Sequence, residues 1–235
     1  MPNQRSSTKV GVYVDVSNVY RNGGQRMRYN VLRHFACRDY AQPVRLNAYV
    51  SFNEERAEHD EDHQKGITSF HSALRDLGFK VIVKNIRWFT DEAGNRYGKA
   101  EADLDLAVDA LLQSENPDRV LIASSDGDFV HVIQALQNKG CRVEAIGLEN
   151  VSKDFRQKAD MYISGFLIPN LILIEDEPET SWGEIGSRVR GWCYWHHNTQ
   201  SFGFMRFLKT MESERGVQAI NISLFSNIDL RSVST

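Results

Sequence analysis

The sequence predicts an α/β fold: a doubly wound, mainly parallel sheet of about five strands, with a small all-β segment after it. Three observations lead there. Short runs rich in β-branched and aromatic residues occur at 10–14, 46–52, 79–83, 120–123 and 142–146. They are continuously apolar rather than alternating, as in strands buried on both faces of a parallel sheet. Helix-like stretches separate them, and the composition changes abruptly near residue 181.

Each helix carries its own signal. Residues 68–77 end at Gly78 and residues 129–139 at Gly140, and a glycine just past a helix terminates it in the left-handed conformation. In 103–112, Leu104, Ala107, Val108 and Leu111 recur at helical spacing and are expected to form the apolar stripe. Residues 88–96 read as an inserted hairpin or loop with Gly94-Asn95 at its turn. The stretch 175–185 begins Glu-Asp-Glu-Pro-Glu and reads as an acidic linker. The expected organisation is therefore a first domain over 1–174, the linker, and a β segment over 186–235.

Bulk properties narrow the function classes. With 28 basic and 31 acidic residues the net charge is −3, so total charge does not advertise general polyanion binding. A nuclease remains compatible, because acidic metal-holding groups offset basic substrate-holding ones. Cys37, Cys141 and Cys193 are widely spaced and form no C-x-x-C pair, which suits a reducing compartment without a zinc or disulfide framework. The polar start and the lack of a long apolar run predict neither signal peptide nor membrane span, hence a cytoplasmic protein. No phosphate-binding glycine loop of ATPase or dehydrogenase type occurs.

Aspartates supply the chemistry. Asp15 closes the first apolar run, Asp126 and Asp128 follow the fourth, and Asp103 opens the helix before it. Each has a structural alternative, as an N-cap or as a carboxylate at a helix's positive end. Together they mean more. In an open α/β sheet ligands bind beyond the carboxyl ends of the strands, where the strand order reverses. If the first and fourth runs are neighbours there, the acids converge. Two carboxylates ~4 Å apart repel by roughly 4 kcal/mol at an effective dielectric near 20. Protons or a divalent cation must relieve that, and oxygen ligands suit Mg²⁺ or Mn²⁺. A haloacid-dehalogenase-like phosphatase would need a second aspartate at position 17, where this chain has Ser17. His59 and His63 fit a solvated helix face better than half a metal site.

The set Asp15-x-x-Asn18, Lys99-x-x-x-Asp103 and Ser124-x-Asp126-x-Asp128-Phe129 resembles the NYN domain family, the LabA-like branch of PIN-like ribonucleases, over about residues 8–170. A glycine commonly follows the motif lysine; Ala100 stands there. The resemblance implies an acidic pocket holding Mg²⁺ or Mn²⁺ through Asp15, Asp103, Asp126 and Asp128. It implies that Asn18 and Ser124 orient a water or phosphate and that RNA is cut; Lys99 would either steady phosphate charge or stand as a solvated lysine on a loop. Asp105 and Asp109 form a separate face of their helix and are expected to be structural, although Asp109 also matches the family pattern.

The C-terminal run from Gly191 to Met205 places Phe202 and Phe204 at strand period. It is similar to the first two strands of cold-shock domains, and residues 220–228 resemble their second RNA-contacting motif. By that resemblance Trp195, Phe202, Phe204 and Phe225 would stack on bases. The motif's histidine and first phenylalanine are replaced by Leu224 and Ile222. The strands available make a three-stranded meander, so a closed barrel would need strands from elsewhere.

The expected function is thus a metal-dependent endoribonuclease preferring single-stranded RNA, without membrane association; a homo-oligomer stays open. The alternatives are a non-catalytic NYN module that binds RNA or protein in a regulatory role, and a structure-specific DNA nuclease.

Overall fold

The computed structural model describes residues 7–100, 102–174, 182–184, 187–197, 202–209 and 211. By contacts the chain divides into two compact units: residues 1–25 with 40–162, and residues 26–39 with 163–235.

The first unit opens with β1 (Lys9–Asp15), which runs directly into the short helix α1 (Val16–Arg21). After β2 (Gln42–Phe52) come α3 (Glu54–His59) and α4 (Glu61–Asp76), then β3 (Lys80–Asn85); α2 (Tyr29–Ala36) belongs to the second unit. Asn53 and Asp60 cap α3 and α4 by accepting the amides of Arg56 and His63. The hairpin β4 (Arg87–Thr90) and β5 (Arg96–Lys99) forms a sheet of its own. It is followed by α5 (Ala102–Leu112), β6 (Arg119–Ala123), α6 (Val130–Asn138), β7 (Arg142–Gly147), α7 (Lys153–Lys158) and β8 (Met161–Ser164).

The main sheet has six strands in the order β3-β2-β1-β6-β7-β8. The pairings β3–β2, β2–β1, β1–β6 and β6–β7 are all parallel. The five apolar runs each became a strand. The sixth, β8, was not foreseen: it has four residues, all only half-buried, and leaves little hydrophobic signature. Val12 and Tyr13 point to opposite faces of β1, yet both are fully buried, as a sheet covered on both sides requires. On one face Tyr13, Tyr49, Ile122 and Val143 pack with Leu106 and Ala110 of α5, Ile133 and Leu136 of α6, and Phe155 of α7.

Helix α5 corrects one expectation. Leu104 and Val108 are 57% and 45% exposed, and the buried line is Ala102, Leu106 and Ala110. The sheet beneath explains the rotation. Tyr49 donates its hydroxyl to Asp109 Oδ2 (2.9 Å), and Asn47 Nδ2 reaches Gln113 Oε1 (3.3 Å). Buried polar groups must find partners, so Asp109 and Gln113 turn inward and the helix buries small alanines beside them.

In the second unit, α2 (Tyr29–Ala36) buries Leu32, Phe35 and Ala36. The amide of Arg28 donates to Leu171 O at 2.9 Å, and Met27 bridges to Ile172. Strands β9 (Trp192–His197) and β10 (Phe202–Arg206) form the antiparallel pair predicted near the C-terminus. Trp182 is buried there and donates its indole N–H to Leu208 O at 2.7 Å.

Candidate functional site

Sheet order places the switch point between β1 and β6. The chain winds outward from β1 through β2 to β3, then returns to the other side of β1 to lay down β6 and β7. The loops at the carboxyl ends of β1 and β6 therefore diverge into helices on either side of a crevice. Asp15 ends β1 and Ser124 follows β6.

Two of the capping alternatives are realised in the geometry. Asp15 Oδ1 accepts the Asn18 amide at 3.0 Å and caps α1. Asp126 Oδ1 accepts the Asp128 amide at 2.9 Å and caps the turn Gly127–Phe129. Neither cap uses the second carboxylate oxygen. Ser124, fully buried, joins the two: its hydroxyl accepts the Asp126 amide at 3.2 Å and donates to Asp15 Oδ2 at 3.5 Å. Asn18 makes a second link, its Oδ1 accepting the Ser125 amide (2.8 Å) and Nδ2 of Asn22 (3.2 Å). These bonds fix the two loops to one another, so Ser124 and Asn18 act on the carboxylates' placement.

Burial pushes the Asp15 carboxyl above the ordinary carboxylate value. The Asn18 amide and Arg21 pull it back, while the charges of Asp103 and Asp126 push it up further. Asp103, in the first turn of α5, and Asp126 thus share the electrostatic neighbourhood of Asp15 although they come from distant parts of the chain. Asp103 and Asp128 are exposed, and Asp126 is half-buried. Arg21 was missed in the sequence; it ends α1, three residues after Asn18, and its charge acts on Asp15. Ser17 was noted only for the aspartate it replaces; its hydroxyl bonds Ser51 Oγ at 2.9 Å and ties α1 to the end of β2.

Asp109 is engaged by Tyr49, and Asp105 pairs with Lys84 at 2.8 Å, so both are in structural contacts. Lys99 lies in β5, paired in register with Arg87. In the tail, the backbone register pairs Phe204 with Trp195 and Phe202 with His197. The Trp195 and Phe204 rings are 5.3 Å apart, and Trp195 is 42% exposed. Phe225 and the rest of 220–228 lie outside the described residues.

The donor chemistry suits a hard divalent cation: carboxylate oxygens, that of Asp15 raised by burial and, to a smaller extent, by its like-charged neighbours. Among the described residues, no three Asp, Glu, His or Cys side chains stand close enough to make a ready ligand set. The exposed Asp103 and Asp128 would have to swing inward. Among the described residues, no helix is long and apolar enough to cross a membrane.

These features define the class: an open, PIN-like α/β domain with Asp15 and Asp126 tied together through Ser124 at its switch point. The chain belongs to the NYN domain family, whose model matches residues 9–173. It is 27% identical over 179 residues to the low amplitude and bright protein LabA of Synechococcus elongatus, covering 73% of this chain and 91% of that protein. It also resembles a crystal structure of a protein of unknown function from Vibrio parahaemolyticus, with a TM-score of 0.56 and 25% identity. That match spans 72% of this chain and 97% of the other.

Proposed function

We propose that this NYN-domain protein is a metal-dependent endoribonuclease that hydrolyses phosphodiester bonds in single-stranded RNA. The observation that carries the reading is the raised carboxyl of Asp15, buried at the switch point and pushed up further by Asp103 and Asp126. A buried carboxyl beside like charges, only partly offset by the Asn18 amide and Arg21, is costly to the fold, and functional sites are where such cost is retained.

Asp15, Asp103, Asp126 and Asp128 would hold Mg²⁺ or Mn²⁺. When bound, the ion neutralises the acids, polarises the phosphodiester and promotes ionisation of water. The protein's own contribution is positional. The Asn18 amide and the Ser124 hydroxyl hold Asp15 from two sides, and Ser124 transmits that placement to the Asp126 loop. Asn18 and Ser124 are assigned to this alignment around water and phosphate, Arg21 and Lys99 to the phosphate charge. The C-terminal segment, with Trp195, Phe202, Phe204 and Phe225, would add a cold-shock-like grip on bases. We assign the nuclease to residues 1–174 and that grip to residues 186–235, in a cytoplasmic protein.

The test is cleavage of a labelled single-stranded RNA by purified protein in Mn²⁺, Mg²⁺ or EDTA. Metal-dependent fragments are expected, and Asp126→Asn and Asp103→Asn should reduce cleavage by more than about 100-fold, roughly 3 kcal/mol in barrier, with the fold intact. Full activity in both variants refutes the site. RNA binding without metal-dependent fragments favours a non-catalytic regulatory module. Preference for flapped DNA over RNA overturns the substrate assignment.

A further inference from the structure

The β4–β5 hairpin has two different faces. On one, Trp88 lies across Gly98: a Cβ added there would meet Ile86 Cγ2 at 2.6 Å and the Trp88 ring at 3.1 Å. The Arg96 guanidinium stacks 4.6 Å above the Trp88 ring and pairs with Glu55 of α3. This face anchors the hairpin. The opposite face, by register, carries Arg87, Phe89 and Tyr97.

On that second face two aromatic rings stack on each other in the open. Phe89 and Tyr97 are directly paired across the strands, with centroids 5.8 Å apart and planes at 28°. They remain 44% and 52% exposed. Cross-strand aromatics that serve only the hairpin would do so equally well on its anchored side. The charges are sorted as well. Asp91 and Glu92 sit at the turn, where Asp91 accepts the amides of Ala93 (3.0 Å) and Asn95 (2.8 Å) and stiffens the tip. Arg87 and Lys99 sit at the open end, and Arg87 makes no ion pair among the described residues. That open end continues within a few residues into α5, whose first turn bears Asp103.

We propose that this outer face is a base-stacking platform for single-stranded RNA, with Phe89 and Tyr97 against bases and Arg87 against backbone phosphate. The inference rests on the ribonuclease reading for its choice of ligand and names the feature that would select single strands. Rings presented beside the Arg87 cation match what unpaired nucleotides offer, a flat apolar face alternating with a fixed negative charge. In a duplex those faces are stacked within the helix and closed to the hairpin. Charge sorting gives the platform a direction, with the acidic tip away from the phosphates and the basic end leading to the carboxylates.

The test uses the full chain and a fluorescein-labelled oligouridylate of about 12 nucleotides, read by anisotropy in EDTA so that binding is measured without cleavage. Phe89→Ala and Tyr97→Ala should each weaken binding at least about fivefold. Phe89→Leu, which keeps apolar bulk and hairpin packing, should weaken it by a similar factor. Arg87→Ala should lower the steepness of the salt dependence by about one counterion. A duplex of the same length should bind the wild type more weakly and respond little to the aromatic changes. Unchanged oligouridylate affinity in Phe89→Leu and Tyr97→Ala overturns the proposal. So does loss of self-association in those variants with RNA affinity intact, which would make this face a protein contact. Stacking is read as binding without metal and the nuclease site as metal-dependent cleavage, so the platform and the nuclease site fail separately.

Discussion

Replacing Tyr49 with phenylalanine removes one oxygen from the polar network that orients α5 over the sheet. Tyr49 is fully buried, and its hydroxyl donates to Asp109 Oδ2 at 2.9 Å while accepting Asn47 Nδ2 at 3.0 Å. A hydrogen bond to a charged group contributes about 1.5–3 kcal/mol and a neutral one about 0.5–1.5 kcal/mol. Asp109 is only half-buried and regains water, and Asn47 keeps Gln113, so part of that sum is recovered. The expected loss is about 2 kcal/mol, or about 4–8 °C in Tm for a chain of this size. Asp109→Asn should cost less, about 1 kcal/mol, because its amide oxygen still accepts from Tyr49. Urea unfolding gives the stabilities; RNA cleavage well below both transitions gives the activities. Both variants should retain near-normal cleavage. A change under about 0.5 kcal/mol for Tyr49→Phe refutes the network argument, since only surface changes are normally that small. Loss of cleavage in a stable Asp109→Asn would move Asp109 from scaffold to catalytic residue.

Asp15→Asn should abolish cleavage yet raise thermal stability at neutral pH, because asparagine caps as well as aspartate and removes a charge that burial and like neighbours disfavour. With the folded carboxyl raised, the wild type's deficit grows as pH rises through that value and closes below about pH 4; a gap independent of pH would contradict this. Glu144 is fully buried in β7, with Arg142 Nε at 3.2 Å and the buried Arg119 at 3.8 Å. Glu144→Gln should therefore cost about 3–5 kcal/mol in urea unfolding, whereas replacing the half-exposed Arg142 with alanine should cost about 0–1 kcal/mol. Gly147→Ala places a methyl 2.5 Å from Val151 Cγ2 and 3.3 Å from Ser124 O, so about 1–3 kcal/mol of stability should go, with reduced cleavage as the Ser124 loop shifts. Wild-type activity in that variant would show the loop to be tolerant.

The strands were legible because β1, β2, β6 and β7 are buried on both sides and so spell continuous apolar runs. Sequence spacing likewise found Gly78 and Gly140, whose φ values of 86° and 89° confirm left-handed helix ends. What failed was rotation about a helix axis. The pattern Leu104–Ala107–Val108–Leu111 is amphipathic by itself, but α5 meets a sheet surface carrying Asn47 and Tyr49. Those two were read within an apolar strand, and their need for partners decided which way the helix turned. Arg21 escaped for a similar reason: its relevance lies in the field at Asp15, and no motif position marks a field. Strand β8 is too short and too exposed to register by periodicity.

For Asp15 and Asp126, capping and ligand binding are not competing explanations. A carboxylate whose Oδ1 is fixed by a backbone amide has lost most of its rotational freedom, so its other oxygen is held in one place. The cap thereby supplies the preorganisation that a divalent-ion site needs, at residues the fold already requires for starting a helix or turn after a strand. Asp103 and Asp128 have no such tether and are exposed, which is why they would complete the shell only when a cation draws them in. The proposed ion would bind weakly in the absence of phosphate, because part of the binding energy would be spent ordering side chains. RNA, arriving with its own phosphate oxygens, would supply the missing ligands, so metal affinity and RNA affinity should rise together, as linkage requires.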